Sequence, residues 1–180
     1  MAEGPVPRAL GDGAPEGPRG VTLALGPAPE VRRIAFWPDR YAAAAARLCA
    51  ELRAPLPAPG RITEAAAGRL ARIAPLVLWR LDAPAEEAIF VPPEDGAAAE
   101  VGPGLARLSL RGPDAAALLA RAVSLDLRPD AFGRDAIAQT AWRHASVTLM
   151  RADDGFDLLL PLSFAEDALT VLQKHAVQFD

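Results

Sequence analysis

The sequence predicts an α+β fold in which a mostly antiparallel sheet carries its helices on one side. Residues 105–179 show the order strand, helix, strand, strand, helix, which begins a ferredoxin-like or split βαβ plan. Residues 21–54 show two strands and a helix, so the first half looks like a degenerate version of that plan. A length of 180 residues allows one compact domain or two small ones, and we expect a single domain over residues 21–180.

The start of the chain is predicted to be disordered over residues 1–20. This segment contains five Gly and four Pro and few large apolar side chains, which cannot offset the entropy lost when a backbone is ordered. Short apolar runs at residues 21–25 and 31–37 then predict two strands.

The first helix is predicted from residue 39 to residue 54. Asp39 suits the N-cap, where its carboxylate accepts backbone N–H bonds. The helix must stop at Ala54, because the residue before a proline is pushed out of the helical conformation and Pro55 follows. Between these ends lies an apolar stripe of helical period, made of Tyr41, Ala44, Ala45, Leu48 and Leu52.

The middle of the chain is less regular. Residues 62–81 are compatible with a helix or with strands, and only residues 76–81 indicate a buried strand clearly. Residues 82–100 hold six carboxylates and no Lys or Arg, although the whole chain has a net charge of −4. Like charges repel, so we expect an acidic surface loop with one short strand at residues 88–91. The carboxylates are Asp82, Glu86, Glu87, Glu94, Asp95 and Glu100.

The second half begins with a clear strand and helix. Alternation over residues 106–110 predicts a half-buried strand whose wet face carries Arg107 and Arg111. Gly112 and Pro113 then open a helix, because proline is favoured at the first helical position. The buried stripe of this helix is Ala115, Leu118, Leu119 and Ala122.

Further strands and a last helix are predicted to follow. Residues 137–142 and 145–150 form one long bent strand or two, and residues 156–160 form the strand that returns after a hairpin turn at residues 153–155. Ser163 and Glu166 have the spacing of a capping box, in which each side chain satisfies a backbone donor of the first helical turn. The last helix has the apolar stripe Ala165, Leu169, Leu172 and Ala176.

Charge and composition exclude several classes of function. The net charge of −4 does not suit a broadly basic nucleic-acid surface. A membrane-spanning helix needs about 20 apolar residues, and no apolar run in the sequence is that long. The start of the chain also lacks the basic segment followed by an apolar segment that is typical of a secretory signal peptide. The single cysteine, Cys49, cannot form an internal disulfide. We therefore expect a cytoplasmic protein that binds neither nucleic acid nor membrane.

Residues that could carry chemistry are few and scattered. His144 and His175 lack neighbours at metal-ligand spacing, and Cys49 lies in an Ala-rich helix where a buried thiol is the simpler interpretation. Arg107 and Arg111 could meet an acidic partner, although a solvated face is the simpler interpretation of either one. The residues themselves predict no catalytic, cofactor or metal site.

Four sequence strings in the second half occur together in an order that is typical of one protein family. They are A-R-L-S-L-R-G-P-D-A-A-A-L-L-A-R-A-V-S-L-D-L-R-P-D-A-F from residue 106, A-Q-T at residues 138–140, V-T-L-M-R at residues 147–151 and F-D-L-L-L-P-L-S-F-A at residues 156–165. Together they resemble the gamma subunit of heterotetrameric sarcosine oxidase. The positions that match its motifs are Gly112, Pro113, Asp126, Phe132, Gln139, Thr140, Pro161, Ser163 and Phe164.

The resemblance implies a fold similar to part of the glycine-cleavage T-protein and a place in a complex that oxidises the N-methyl group of sarcosine, giving glycine. The one-carbon unit then leaves as formaldehyde or joins tetrahydrofolate. FAD, FMN, NAD and tetrahydrofolate are implied in the alpha and beta partner subunits, and zinc in the delta subunit. This chain is implied to be non-catalytic, to hold no cofactor, and to use its motif positions for structure or for contact with those three subunits.

Two other functions stay open. One is a stand-alone folate-binding module of the T-protein type. The other is a gamma-like subunit of a different N-methylamino-acid oxidoreductase, such as N-methylglutamate dehydrogenase. Leu162 stands where the family usually has Arg, so the substrate and the partner are less constrained than the fold.

Overall fold

The computed structural model describes residues 20–84 and 89–177, and within them ten strands form two five-stranded sheets in which every pairing is antiparallel. Except for Gly20, the predicted disordered segment lies outside the described residues. The strands are β1 (Thr22–Leu25), β2 (Val31–Phe36), β3 (Ile62–Glu64), β4 (Arg69–Ala74), β5 (Val77–Leu81), β6 (Gly96–Glu100), β7 (Leu105–Arg111), β8 (Ile137–Trp142), β9 (Ala145–Ala152) and β10 (Gly155–Pro161). The helices are α1 (Tyr41–Leu52), α2 (Ala115–Leu119) and α3 (Ala165–Ala176).

The two sheets repeat one topological plan. In the N-terminal sheet, of order β3-β4-β5-β2-β6, a strand is followed by helix α1 and a three-stranded meander whose last strand pairs with the first. In the C-terminal sheet, of order β1-β7-β10-β9-β8, strands β7 to β10 and helix α2 do the same. The prediction that the first half is a version of the second half agrees with this repeat.

The α+β class is confirmed, and two details differ from the prediction. The strands divide between two sheets, each with helices on its outer side, so the layers run helix, sheet, sheet, helix. Two strands, β10 and β9, separate β7 from the strand that follows α2, whereas a split βαβ unit has one strand at that place. The reason is the meander, because β8, β9 and β10 join through tight hairpins and enter the sheet as a block.

Each sheet buries its outer face against helices. On the C-terminal sheet, Leu108 and Leu110 of β7 pack with Leu118, Leu119 and the α3 side chains, and these four leucines are fully buried. Burying one such side chain contributes roughly 1.5–3 kcal/mol. On the N-terminal sheet, the α1 stripe packs against β2, β4 and β5, as the helical period predicted.

The inner faces of the sheets pack against each other. Trp79 and Leu81 of β5 meet Met150 of β9 and Leu159 of β10, and all four are buried. The sheets also join through backbone hydrogen bonds beside β3 and β8, from Ile62 N–H to the Asp135 carbonyl (2.7 Å) and from Ile137 N–H to the Gly60 carbonyl (3.0 Å). The sandwich is therefore joined at its β3/β8 side, and β1 and β6 lie at the other.

Both predicted helix caps are wrong. Helix α1 has Arg40 rather than Asp39 at its N-cap, and α3 has Phe164 rather than Ser163; neither cap side chain bonds the backbone of its helix. Ser163 lies instead in a 3-10 turn, Leu162–Phe164, that carries the chain from β10 into α3. The first turn of α3 carries Glu166 and Asp167, whose charges favour a helix N-terminus through the helix dipole.

The acidic segment is only partly the solvated loop that was predicted. Residues 85–88, with Glu86 and Glu87, lie outside the described residues, and residues 89–91 form no strand; Gly96–Glu100 forms β6 instead. Asp95 is buried and bonds Arg47 of α1, and Glu100 bonds Arg32 of β2. The segment itself contains no cation, but the fold brings arginines to it from distant strands and helices.

Asp82 links the two sheets electrostatically. Its carboxylate accepts hydrogen bonds from Arg69 of β4 (3.2 Å from Nε) and from Arg107 of β7, in the opposite sheet. Burial alone would raise the pKa of Asp82, but the hydrogen bonds and charges of Arg107 and Arg69 outweigh it and hold the pKa below its usual 3.8. The residue has a left-handed backbone, with φ 55°, which Asp and Asn tolerate better than most residues do.

Gly112 is required where the chain leaves β7. Its φ is 112°, and a Cβ there would lie 1.7 Å from the carbonyl oxygen of Gly20. We predict that Gly112→Ala lowers the free energy of unfolding by more than about 1 kcal/mol, measured by urea unfolding followed by tryptophan fluorescence. Gly104→Ala is the control, because its Cβ would meet nothing within 4 Å. Equal losses in both variants would contradict the steric argument.

Asp82→Asn is predicted to weaken the dependence of the unfolding free energy on pH in acid. Because the folded-state pKa of Asp82 lies below 3.8, its ionised form contributes stability that is present above that value and is lost as the pH falls through the folded-state pKa. Asn retains the backbone conformation and cannot ionise. Unfolding free energies measured below about pH 5 should fall less steeply in the variant. An equally steep fall would show that the link between the sheets does not depend on the charge.

Candidate subunit interface

The motif residues of the second half divide between the two ends of the C-terminal sheet. Gly112 and Pro113 follow the end of β7, and Phe132 packs on Phe156 near the start of β10. Pro161 ends β10, and Ser163 and Phe164 follow it, at the end of the sheet where β8 turns into β9. Because a seven-residue strand spans about 20 Å or slightly more, these are two separate sites.

The residues at the first end have structural roles. Gly112 donates its N–H to the Asp154 carbonyl (2.8 Å), and the Phe132 and Phe156 ring centroids lie 6.3 Å apart in the core. Asp126 accepts the backbone N–H of Arg128 (3.1 Å) and its side chain, and these hydrogen bonds lower the pKa of Asp126 to about 2. Pro113 is exposed just before α2. The motif at this end therefore specifies turns and packing.

The residues at the second end lie mostly on the surface. Ser163 is exposed, Pro161 is half-buried, and Phe164 keeps 43% of its surface exposed; the exposed Gln139 and half-buried Thr140 lie instead in the middle of β8. We call this end the hairpin-end surface and define it by residues 142–145, residues 161–164 and Asp167. Leu162, 37% exposed, adds a second apolar side chain to the 3-10 turn.

A cavity of about 110 Å³ opens on the hairpin-end surface. Trp142, Ala145, Phe164 and Ala168 provide its apolar wall, and Arg143, His144 and Asp167 provide its polar rim. Pockets for small molecules usually enclose about 300–1,000 Å³. This cavity suits one apolar side chain of another protein better than a flavin, a nicotinamide nucleotide or a folate.

The β8–β9 turn sets the rim of the cavity. Trp142 pairs with Ala145, so Arg143 and His144 form a two-residue loop, and Arg143 takes φ 53° as the tightest hairpin turns require. Its guanidinium lies 4.0 Å from the Asp167 carboxylate, with both side chains more than half exposed. Such an exposed pair contributes about 0–1 kcal/mol, which leaves Arg143 available to another carboxylate at little cost.

Arg107 and Arg111 lie on one face of β7, as their spacing predicted, and both are half-buried and ion-paired within the chain. Arg107 bonds Asp82, and Arg111 bonds Asp157 and lies 3.1 Å from Asp154. The face is therefore neutralised by carboxylates of neighbouring strands rather than solvated as expected. A contact of either arginine with a partner stays a prediction.

The other reactive side chains do not form a constellation. Cys49 is 8% exposed in the α1 core, and burial raises the pKa of its thiol. His144 borders the cavity, whereas His175 is half-buried near the opposite end of α3. Over residues 20–84 and 89–177, no three His, Cys, Asp or Glu side chains come together as metal ligands.

Sequence reasoning missed part of the hairpin-end surface. The sequence leaves one long bent strand or two over residues 137–150, whereas the structure has two strands, β8 and β9, joined by a tight turn at residues 143–144. Sequence reasoning had no signal for the exposure of Leu162, because this residue continues an apolar string that is buried up to Leu160. No helix in the described part of the chain is long and apolar enough to cross a membrane.

Comparison with known proteins gives a structural match. No protein-family model and no curated protein sequence matches the chain. Among solved structures, it is similar to a chain of the heterotetrameric sarcosine oxidase from Corynebacterium sp. U-96, solved in complex with pyrrole 2-carboxylate, with a TM-score of 0.74 and 22% sequence identity. The match covers 91% of this chain and 87% of that chain. The protein thus has the fold of a chain of a heterotetrameric sarcosine oxidase, as the motifs of its second half predicted.

Proposed function

We propose that this chain is the non-catalytic gamma subunit of a cytoplasmic sarcosine oxidase complex. The observation that carries the proposal is the fold match, which extends over nearly equal shares of two chains and therefore joins chains of similar length. Three of the motif residues, Pro161, Ser163 and Phe164, lie at the hairpin-end surface. Their position there supports a role of this surface in contact with partner subunits.

In this proposal, the chemistry belongs to the partner subunits. The alpha and beta subunits hold FAD, FMN, NAD and tetrahydrofolate, the delta subunit holds zinc, and this chain supports their assembly. One observation favours this division of labour: the His, Cys, Asp and Glu side chains of the described residues do not gather into a cluster that could hold a metal ion. The complex would oxidise sarcosine to glycine and release the one-carbon unit as formaldehyde or transfer it to tetrahydrofolate.

The proposal is tested by co-expressing the chain with the alpha, beta and delta subunits, followed by size-exclusion chromatography and assay of sarcosine oxidation. We expect the chain to co-elute with the other three and to be needed for a stable complex. A fully active complex that assembles while this chain elutes alone would overturn the proposal.

The two alternatives have their own readouts. Saturable quenching of tryptophan fluorescence by tetrahydrofolate in the isolated chain would favour a stand-alone folate-binding module, and a flat titration would reject it. A complex that prefers N-methylglutamate over sarcosine would favour the other N-methylamino-acid oxidoreductase.

Phe164→Glu is predicted to weaken assembly without unfolding the chain. A buried aromatic anchor at an interface is worth about 2 kcal/mol or more, which is roughly a thirtyfold change in Kd, whereas an exposed side chain contributes within about 0.5 kcal/mol to folding. Kd for the other subunits is measured by calorimetry, and stability by urea unfolding.

Val177→Glu is the matched control. Val177 is 63% exposed, directly after α3, and lies about 20 Å along the helix from Phe164. Its substitution should leave Kd unchanged. If Phe164→Glu bound as tightly as the original chain, the hairpin-end surface would not be the interface.

A further inference from the structure

The inner face of the N-terminal sheet extends beyond the C-terminal sheet that covers it. Val31, at the start of β2, is buried between the sheets, but Arg33 is exposed and Trp37 is 51% exposed. Alternate residues of a strand point to the same side, so these side chains share one face. The exposed Ala97 and Ala99 of β6 extend it, because they pair with Ala35 and Arg33. We call this the overhanging face: Arg33, Ala35, Trp37, Ala97 and Ala99.

The outer edge of β6 borders this face, and no other strand of the described residues pairs with it. Trp37 donates its N–H to the Asp95 carbonyl (2.9 Å), and Val101 donates to the Val31 carbonyl (3.0 Å). Antiparallel pairing alternates, so Ala97 and Ala99 also bond β2, whereas Ala98 and Glu100 direct their N–H and C=O groups away from it. Proline residues and β-bulges commonly protect edge strands from pairing. Strand β6 has neither, since it contains no proline and pairs with β2 without a register shift.

Arg33 carries an unneutralised charge on the overhanging face. Its cross-strand neighbours are Trp79 and Ala99, and no carboxylate of the described residues pairs with it. The adjacent Arg32 differs in this respect, because it forms an ion pair with Glu100. A guanidinium on a small-residue apolar face is complementary to a carboxylate with an apolar surround.

We propose that β6 and the overhanging face bind an extended segment of a partner subunit, which adds as a sixth strand to the N-terminal sheet and places one carboxylate opposite Arg33. The identity of the partner as a subunit of the oxidase complex rests on the function proposed above. Strand addition supplies backbone hydrogen bonds through Ala98 and Glu100, and the side chains of the added strand supply specificity. This surface lies on the other sheet from the hairpin-end surface, so the chain contacts its complex on two sides.

The geometry allows Arg33 to reach the added strand. An added strand would lie two strand spacings from β2, about 9.5 Å. Between Arg33 and the side chain of the added strand lies only the methyl group of Ala99. A long guanidinium side chain and an Asp or Glu can together span this distance. Trp37 adds a fixed aromatic surface, because its indole N–H donates to the Pro93 carbonyl (2.8 Å); Trp and Arg are the side chains most enriched at interface hot spots.

Hydrogen exchange of single backbone amides tests the proposal on the full chain. In the isolated chain, the amides of Ala98 and Glu100 should exchange faster than those of Ala97 and Ala99. In the purified complex with the alpha, beta and delta subunits, exchange at Ala98 and Glu100 should slow by about tenfold or more, because they become hydrogen-bonded. Unchanged exchange in a complex that does assemble would overturn the proposal and leave the proposed function standing. Failure of the chain to join any complex would overturn both.

Two substitutions separate the charge from the strand pairing. Arg33→Glu should raise Kd for the complex by about tenfold or more, because it places a carboxylate opposite the carboxylate of the partner. Arg53→Glu is the control and should leave Kd unchanged, because Arg53 is an exposed residue after α1 with no ion pair to the described residues. Ala98→Pro removes an N–H that faces away from β2, a position where edge strands tolerate proline, and should weaken binding with little loss of stability. Unchanged Kd in both Arg33→Glu and Ala98→Pro would overturn the proposal.

Other occupants of the surface give distinct results. Protection of Ala98 in the isolated chain, together with a dimeric mass, would show that two copies pair through β6. Loss of such protection after removal of residues 1–19 would show that the chain's own N-terminal segment covers the strand. Either result would overturn the proposal.

Discussion

The packing of the two sheets against each other is the contact on which the rest of the structure depends. Each sheet has its own helices on the outside, but neither buries its inner face without the other. Trp79 and Leu81 on one side, and Met150 and Leu159 on the other, form that layer. Asp82 then fixes the alignment of the sheets, because it holds an arginine from each one. A change that separates the sheets would expose apolar faces on both.

Sequence patterns predicted the strands that have an apolar pattern of their own and failed where that pattern is missing. Strand β7 alternates strictly between buried and half-buried positions, and the alternation predicts nearly its observed length. Strand β5 is buried at four of its five positions because a helix covers one face and a sheet the other, and its nearly continuous apolar run at residues 76–81 correctly predicts a buried strand. Strand β6 has almost no pattern of its own, since Ala97, Ala98 and Ala99 are all exposed; its pairing with β2 determines it.

The candidate interface was only partly predictable, because its residues come from parts of the chain that are distant in sequence. Phe164 and Ser163 came from the motif resemblance, and the fold then placed them beside Trp142 and Arg143, which no local pattern connects to them. The acidic segment shows the opposite case. Its charge suggested a solvated loop, but Asp95 and Glu100 bond arginines that are distant in sequence. Contacts between residues far apart along the chain decide the environment of a charge, and a single sequence does not display them.

Strand β1 crosses from one half of the chain into the sheet of the other, and this has a consequence for synthesis on the ribosome. Thr22 pairs with Arg111, so about 90 residues separate the partners. At 5–20 residues per second, β1 waits roughly 5–18 seconds for β7 to emerge. The N-terminal sheet has all of its own strands by then, whereas the C-terminal sheet waits for the rest of the chain. Strand β1 is thus made first and paired late, and its sheet is the one that is completed last.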